Sequence, residues 1–264
     1  TLARSTLFNG LAARRLIDAQ NGRSTYGYYA LAEALEGRRQ YKAFADALAP
    51  AVADIHQQPG DHTVDLGLLL PHLGFAYQQI GQHDKAVAVF DEAHRLQPGD
   101  PEMTAYLIEA NLTAKRYGAA VEVARQARMG NPNDLRLARL HAEALRQDGK
   151  VDQGIAVLQD VVKARADEPL AYMALAQLYS DASRGPQAVK VLQDAQARFP
   201  ADNAIVFELG ATFDKQKKFA DAEAAFQTVI RRAPDHAQAL NYLGYMLAER
   251  GERLDESIAY VKRA

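Results

Sequence analysis

The sequence predicts an all-α fold, a right-handed α-solenoid in which helix-turn-helix units stack one after another. Three observations predict it. Prolines, small residues and large apolar residues each recur at multiples of 34 residues. The prolines are Pro98, Pro132, Pro200 and Pro234, and the small residues are Ala86, Ala120, Gly154, Ala188 and Ala222. Two further registers of the same period are Leu73, Leu107, His141, Leu175, Leu209, Leu243 and Tyr77, Asn111, Leu145, Tyr179, Phe213, Leu247. One period shared by several independent positions indicates an array of repeated units.

Each repeat is expected to contain two helices. Apolar residues recur within it at three- and four-residue spacing in two runs, which is typical of two amphipathic helices separated by a turn. A proline near the end of the repeat stops the second helix, because proline lacks the N–H that helical hydrogen bonding needs. Aspartate or asparagine follows that proline at 100, 133 and 202 and is placed to cap the next helix.

The N-terminal part is less regular. Residues 1–24 predict a helix, which is a candidate for the second helix of an earlier repeat. Its apolar residues include Leu7, Leu11, Leu16 and Ile17. Residues 25–66 predict a degenerate repeat with Phe44 at the small-residue position. Pro50 is expected to kink or divide the second helix of that repeat, and Gln57 to Thr63 form an insertion beyond the regular period.

Six repeats are expected to follow the insertion. Their predicted bounds are 67–100, 101–134, 135–168, 169–202, 203–236 and 237–264, the last one truncated. His141 stands where most repeats have leucine, so we expect a buried, hydrogen-bonded histidine. In the last repeat Ser257 takes the small-residue role, and the closing proline and a polar capping helix are absent. This ending, and a start at Thr1 without methionine, predict a piece of a longer parent protein.

Two repeats carry a family pattern most clearly. The first has Leu70, Leu73-Gly74, Tyr77, Ala86, Phe90, Ala93 and Pro98, and the second has Val206, Leu209-Gly210, Phe213, Ala222, Phe226, Val229 and Pro234. This pattern resembles the tetratricopeptide repeat (TPR) family, and the resemblance runs from about residue 25 to the end. Its physical reason is steric. A small residue lets the two helices of a repeat approach closely, and the aromatic residues fill the gap between neighbouring repeats.

Composition and motifs exclude several function classes. The formal net charge of −2 argues against nucleic acid as a partner. Cysteine is absent, which excludes disulfides, thiol nucleophiles and cysteine-ligated zinc. The chain contains no catalytic, phosphate-binding or dinucleotide motif, so we expect no enzyme activity and no cofactor. No apolar run is long enough to predict a membrane span.

A group of histidines leaves two interpretations. The five are His56, His62, His72, His83 and His94. They could form a metal or pH-sensing site, because imidazole is a common ligand and titrates near neutrality. Their spacings match no pair of ligands one helical turn apart, which favours solvated surface histidines and no metal site.

The TPR resemblance implies where a partner would bind. The first helix of each repeat lines a concave face in this family, with its second, fifth, ninth and twelfth residues pointing into the groove. The candidate groove residues are Phe75, Glu109, Arg136, Arg139, Glu143, Arg146, Met173, Gln177, Phe207, Asn241 and Tyr245. The charged residues among 136–146 could contact partner carboxylates, or they could pair among themselves on a solvated face. The Lys and Asn residues of the family's carboxylate clamp are not present at the matching positions.

The resemblance implies a non-catalytic scaffold that binds a partner peptide or helix in the concave groove, within a bacterial assembly. The segment 239–251 is similar to bacterial multi-repeat proteins and favours the periplasm or cell envelope over the cytoplasm. The alternative is a structural or oligomerising arm of a larger enzyme or membrane complex, which would use its convex face or its ends.

Overall fold

The computed structural model describes residues 12–15, 17–18 and 24–264. From residue 24 onward the chain forms fourteen α-helices, and that part contains no β-strand. Most of the helix predicted for residues 1–24 lies outside the described residues, including Leu7, Leu11 and Leu16. The described positions between 12 and 18 are helical, and Ala13 and Ile17 are buried.

The helices fall into two compact units, one ending at Gly130 and the other running from Asn131 to Ala264. The first unit contains α1 (Thr25–Glu36), α2 (Tyr41–Gln57), α3 (Thr63–Gln79), α4 (His83–Leu96), α5 (Pro101–Thr113) and α6 (Tyr117–Gly130). The second contains α7 (Leu135–Gln147), α8 (Val151–Ala164), α9 (Pro169–Asp181), α10 (Gly185–Arg198), α11 (Asn203–Lys215), α12 (Phe219–Arg232), α13 (Ala237–Glu249) and α14 (Leu254–Arg263).

Within each unit the helices pack as successive hairpins. Each odd-numbered helix packs against the next even-numbered helix, and that helix then packs against the first helix of the following hairpin. Three pairs of first helices from neighbouring hairpins also contact each other directly, α1 with α3, α7 with α9 and α9 with α11, whereas second helices make at most marginal contact. In the second unit, α7, α9 and α11 therefore lie side by side as one wall, on the face that the TPR resemblance implies to be concave. This neighbour-to-neighbour stacking is the α-solenoid arrangement that the sequence predicts.

The small positions have the steric role expected of them. Ala86 and Ala222 are completely buried where the two helices of a hairpin meet. A Cβ built on Gly74 would lie 2.7 Å from the ring of Phe90, so only glycine leaves room for that ring. In the last hairpin the small-residue role belongs to Ser257, which is buried and donates a hydrogen bond to the carbonyl oxygen of Gly244 at 2.7 Å.

Asp100 and Asp202 cap the next helix, as predicted, whereas Asp134 rather than Asn133 caps α7 and His236 caps α13. A side-chain oxygen of Asp100 accepts from the backbone N–H of Glu102 at 2.7 Å, and Asp202 does the same for Ala204 at 2.8 Å. Asp134 accepts from an amide in the first turn of α7 at 2.8 Å. These bonds satisfy amides that have no partner inside the helix.

The region before the first regular repeat differs from the sequence-based expectation. Pro50 does not divide the second helix, because α2 runs unbroken from Tyr41 to Gln57. A proline removes one hydrogen bond, and here the flanking residues that pack in the core hold the helix together. The loop is shorter than the insertion predicted for residues 57–63, because Gln57 is the last residue of α2 and Thr63 is the first residue of α3. Asp61 accepts from both the backbone N–H and the hydroxyl of Thr63, which starts α3 before the predicted repeat boundary.

Candidate functional site

Nine of the eleven candidate groove residues lie in the second unit, on α7, α9, α11 and α13. The second and fifth residues of α7, α9 and α11 define a strip along the N-terminal halves of these helices, which we call the N-terminal lane. It comprises Arg136, Arg139, Leu170, Met173, Ala204 and Phe207. The ninth and twelfth residues define the C-terminal lane. It comprises Glu143, Arg146, Gln177, Ser180, Ala211 and Asp214.

In the C-terminal lane, Glu143 and Arg146 neutralise each other. Arg146 donates two hydrogen bonds to Glu143, from Nε at 2.8 Å and from Nη2 at 2.6 Å, and Gln147 adds a third at 2.6 Å. Desolvation alone would raise the pKa of Glu143, but these hydrogen bonds outweigh it and the pKa is lowered. On α9, Gln177 donates to Asp181 at 2.7 Å. This part of the wall offers few unsatisfied charges to a partner.

The two other arginines of α7 behave differently. Arg136 and Arg139 are exposed, and neither makes an ion pair or side-chain hydrogen bond with any residue that the structure describes. The two interpretations of the charged set therefore apply to different members of it. Glu143 and Arg146 pair with each other, whereas Arg136 and Arg139 keep their guanidinium groups available.

Apolar side chains continue the N-terminal lane beside these arginines. Leu170 is 63% exposed and Met173 is half-buried on α9. Phe207 on α11 is half-buried, and its ring centroid lies 5.6 Å from Phe226 and 5.3 Å from Tyr242. Phe207 thus contributes to packing between hairpins as well as to the wall, so the sequence pattern describes only part of its role.

The two candidates on α13 differ in their exposure to solvent. Tyr245 is 61% exposed and Asn241 is half-buried. Tyr242, which the groove positions did not include, is also exposed, and its ring packs against Phe207 and Phe226. The sequence could have indicated Tyr242, because it is an aromatic residue directly after the groove position Asn241.

Phe75 and Glu109 belong to the first unit. Phe75 lies on α3, is half-buried and packs edge-on against Tyr41 with ring centroids 5.7 Å apart. Glu109 lies on α5 and is exposed. Neither residue belongs to the two lanes, which are defined on helices of the second unit.

Two carboxylates in the second unit have raised pKa values. Burial raises the pKa of Glu208 above its ordinary value, and the charge of Lys215 only partly opposes this effect. Burial also raises the pKa of Asp214, and the charge of Glu249 adds to the rise. Sequence reasoning assigned no particular role to Glu208, because it lies one residue beyond a groove position.

Replacing Glu208 with glutamine is expected to stabilise the second unit at pH 7 by about 0.5–1 kcal/mol. The folded pKa lies above the unfolded one, so the folded state binds more protons in that range. The unfolding free energy of the wild type therefore falls as the pH rises from the unfolded-state pKa of Glu208 through its folded-state pKa. Glutamine does not ionise, so the variant does not lose this stability. Urea unfolding at pH 7 and pH 4 would check it, because the advantage should shrink at pH 4. An equal advantage at both pH values would contradict the desolvation of Glu208.

Two histidines of the first unit lie beside carboxylates of a neighbouring hairpin. His72 on α3 lies 3.5 Å from a carboxylate oxygen of Glu36 on α1, and Tyr29 packs edge-on against its ring. His56 on α2 lies 2.5 Å from a carboxylate oxygen of Glu92 on α4. These pairs join neighbouring hairpins. His141 in the second unit is buried, as expected.

The described residues offer neither a metal-binding cluster nor a membrane-spanning helix. Within residues 12–15, 17–18 and 24–264, no group of three or more histidine or acidic side chains is arranged to hold a metal ion. Among the described helices, none is long and apolar enough to span a membrane.

Comparison with known proteins identifies the class of repeat. Two family models, both described as tetratricopeptide repeat, match the chain. One matches residues 173–225 and 207–264, and the other matches residues 77–144 and 111–178. Together they cover more than half of the chain, so the chain belongs to the tetratricopeptide repeat family. The resemblance seen in the sequence is confirmed.

Relatives and solved structures agree with this assignment. The TPR repeat-containing protein PA4667 of Pseudomonas aeruginosa is 30% identical over 143 residues, which are 52% of this chain and 24% of that protein. The match thus spans about a quarter of the relative's length. A tetratricopeptide repeat protein from Parabacteroides merdae aligns over 92% of both chains with 12% identity and a TM-score of 0.57. Kinesin light chain TPR-like repeats from Podosopora anserina align over 65% of this chain and 93% of theirs, with 20% identity and a TM-score of 0.53. At these identities the two structures show the fold alone.

Proposed function

We propose that this protein is a non-catalytic scaffold that binds a segment of a partner protein on the concave wall of its second unit. The TPR fold is the fold of a protein–protein interaction scaffold, which supports the class of function. One observation carries the choice of surface. The N-terminal lane keeps two unpaired arginines and the exposed Leu170, whereas the arginine of the C-terminal lane, Arg146, is paired with Glu143. Apolar side chains and unpaired guanidinium groups together are what a protein-binding surface needs. The relative in Pseudomonas aeruginosa supports a bacterial setting.

A photo-crosslinking experiment would test this proposal. A benzophenone amino acid would replace Leu170 in the lane or, as the matched control, the exposed Gln193 on the second helix of the same hairpin. Partners would be captured from bacterial extract, identified by mass spectrometry, purified and titrated against the wild type and a Leu170→Ser variant. We expect one partner to crosslink at position 170 and not at 193, and to bind the serine variant more weakly. Equal crosslinking at both positions, or unchanged affinity, would remove the concave wall as the binding surface.

A second candidate function is self-association through the last helix, which corresponds to the structural-arm alternative. Leu254, Ile258 and Val261 are exposed on one face of α14. The preceding second helices, α8, α10 and α12, each pack against the first helix of the next hairpin. The second helix α14 therefore has a surface suited to packing against another helix. Sedimentation velocity would decide. A dimer that Ile258→Glu converts to a monomer would favour this function, and a wild-type monomer would exclude it.

A further inference from the structure

We infer that the N-terminal lane selects a partner segment in which acidic side chains precede or follow apolar ones along the chain, with the acidic residues over α7 and the apolar residues over α9 and α11. The inference rests on the proposed function and specifies the chemistry of the partner. It commits to aspartate or glutamate side chains of a protein segment as the occupant.

The charge at α7 carries the first step. Arg136 lies in the first turn of the helix, where the aligned peptide dipoles disfavour a cation and favour an anion. No acidic side chain occupies that first turn, and the cap residue Asp134 already accepts from the backbone of Leu137. Arg139 lies one turn further on the same face. Asp134 caps the helix end through the backbone, whereas the two guanidinium groups lie about one turn apart on one face without an ion-pair partner among the described residues.

Arg146 on the same helix is an arginine whose charge is balanced by a carboxylate. Its guanidinium forms a two-point contact with Glu143, and the negative charge of Asp181 on the next first helix also acts on it. One helix therefore carries one neutralised arginine and two that are not. Carboxylates bind best to guanidinium groups that can offer both N–H donors of the fork, so Arg136 and Arg139 are the pair that an acidic segment would contact.

The apolar part of the lane fixes the order of the partner's side chains. Leu170 and Met173 occupy the same positions on α9 that Arg136 and Arg139 occupy on α7, and these two helices contact each other. On α11 the equivalent position holds Phe207. A segment lying along the lane would meet cations first and then apolar surface on two successive helices.

Helix spacing gives the spacing of the partner's residues. Packed helices are about 8–10 Å apart, and an extended chain advances about 3.3 Å per residue. A segment crossing the wall therefore moves by about three residues from one first helix to the next. The expected pattern is one or two acidic residues, an apolar residue about three positions away and a second apolar residue about three positions beyond that.

Fluorescence anisotropy with synthetic peptides would test the inference on the full chain. The probe is a fluorescein-labelled peptide with two glutamates, then leucine and phenylalanine at three-residue spacing. Its reversed sequence is tested beside it, because the lane fixes the order over the helices and not the chain direction. The protein variants are Arg136→Gln with Arg139→Gln, and the control is Lys163→Gln with Lys190→Gln on the second helices, which changes the net charge equally. Circular dichroism would verify that every variant keeps its helical content.

We expect at least one peptide direction to bind, and the double arginine variant to lose about 10-fold or more in affinity. The lysine control and an Arg146→Gln variant should lose less than about 3-fold. A probe with glutamine in place of glutamate should bind the wild type as weakly as the glutamate probe binds the arginine variant. Equal binding of both probes, failure of both directions to bind, or an equal loss for Arg146→Gln would overturn the inference. A partner that crosslinks at position 170 would leave the proposed function standing in those cases, which separates the two failures.

Discussion

Replacing Phe226 with alanine is expected to lower the free energy of unfolding of the second unit by about 3–5 kcal/mol. Phe226 on α12 is completely buried, and its ring contacts both Phe207 and Tyr242 with centroids 5.6 and 5.4 Å away. It fills the space above Gly210, where a Cβ would lie 2.9 Å from the ring. Alanine would leave a cavity that the helices on either side can only partly close.

Urea unfolding followed by circular dichroism would measure this loss, with Asp221→Ala as the control. Asp221 lies on the same helix but is exposed, so its replacement should change the unfolding free energy by no more than about 0.5–1 kcal/mol. Each hairpin of a repeat array is stabilised by its neighbours, so the Phe226 variant should also loosen α13. A loss below about 1 kcal/mol for Phe226→Ala would mean that the ring is not a packing centre of the unit.

The Phe226 cluster also links stability to the candidate site. Phe207 belongs to the N-terminal lane, and the ring of Phe226 supports it from below. A variant that weakens this support should disturb partner binding without removing any residue that contacts the partner. Binding measurements on packing variants should therefore be read together with their stability.

The hairpins and their packing could be predicted from the sequence because they are set by residue size at a fixed period. A leucine-glycine step in the first helix and a phenylalanine in the second are enough to place Gly210 under Phe226. Caps at Asp100 and Asp202 follow from local chemistry alone. The course of the chain around Pro50 could not be predicted, because one lost hydrogen bond is a small term beside the burial of the residues that flank it.

The division of the candidate site into two lanes could not be read from the sequence. Glu143 has Arg139 one turn before it and Arg146 one turn after it, and both spacings permit an ion pair. The structure pairs Glu143 with Arg146, whose pKa is also raised by the charge of Asp181 in another repeat. Sequence period places all of these side chains on one wall. It does not say which charges remain unpaired there.

Replacing Gly154 with alanine is expected to destabilise the second unit by about 1–2 kcal/mol, although four of the other repeats have alanine at this position. A Cβ on Gly154 would lie 2.8 Å from the backbone carbonyl oxygen of Ala142 on α7. A backbone atom cannot rotate away as a side chain can, so α8 would have to shift. Alanine favours a helix by about 1 kcal/mol over glycine, and the predicted value is what remains after this gain.

Gly118→Ala on α6 is the matched control, because Gly118 is an exposed helical glycine with open space around a new Cβ. Its replacement should stabilise the first unit by about 0.4–1 kcal/mol through the lower entropy of the unfolded chain. Thermal and urea unfolding of both variants would give the two signs directly. If Gly154→Ala were as stable as the wild type, α7 and α8 could separate at little cost, and the close approach of the two helices would not be what requires glycine. The opposite signs expected for the two glycines distinguish a residue required by helix contact from one that the array merely tolerates.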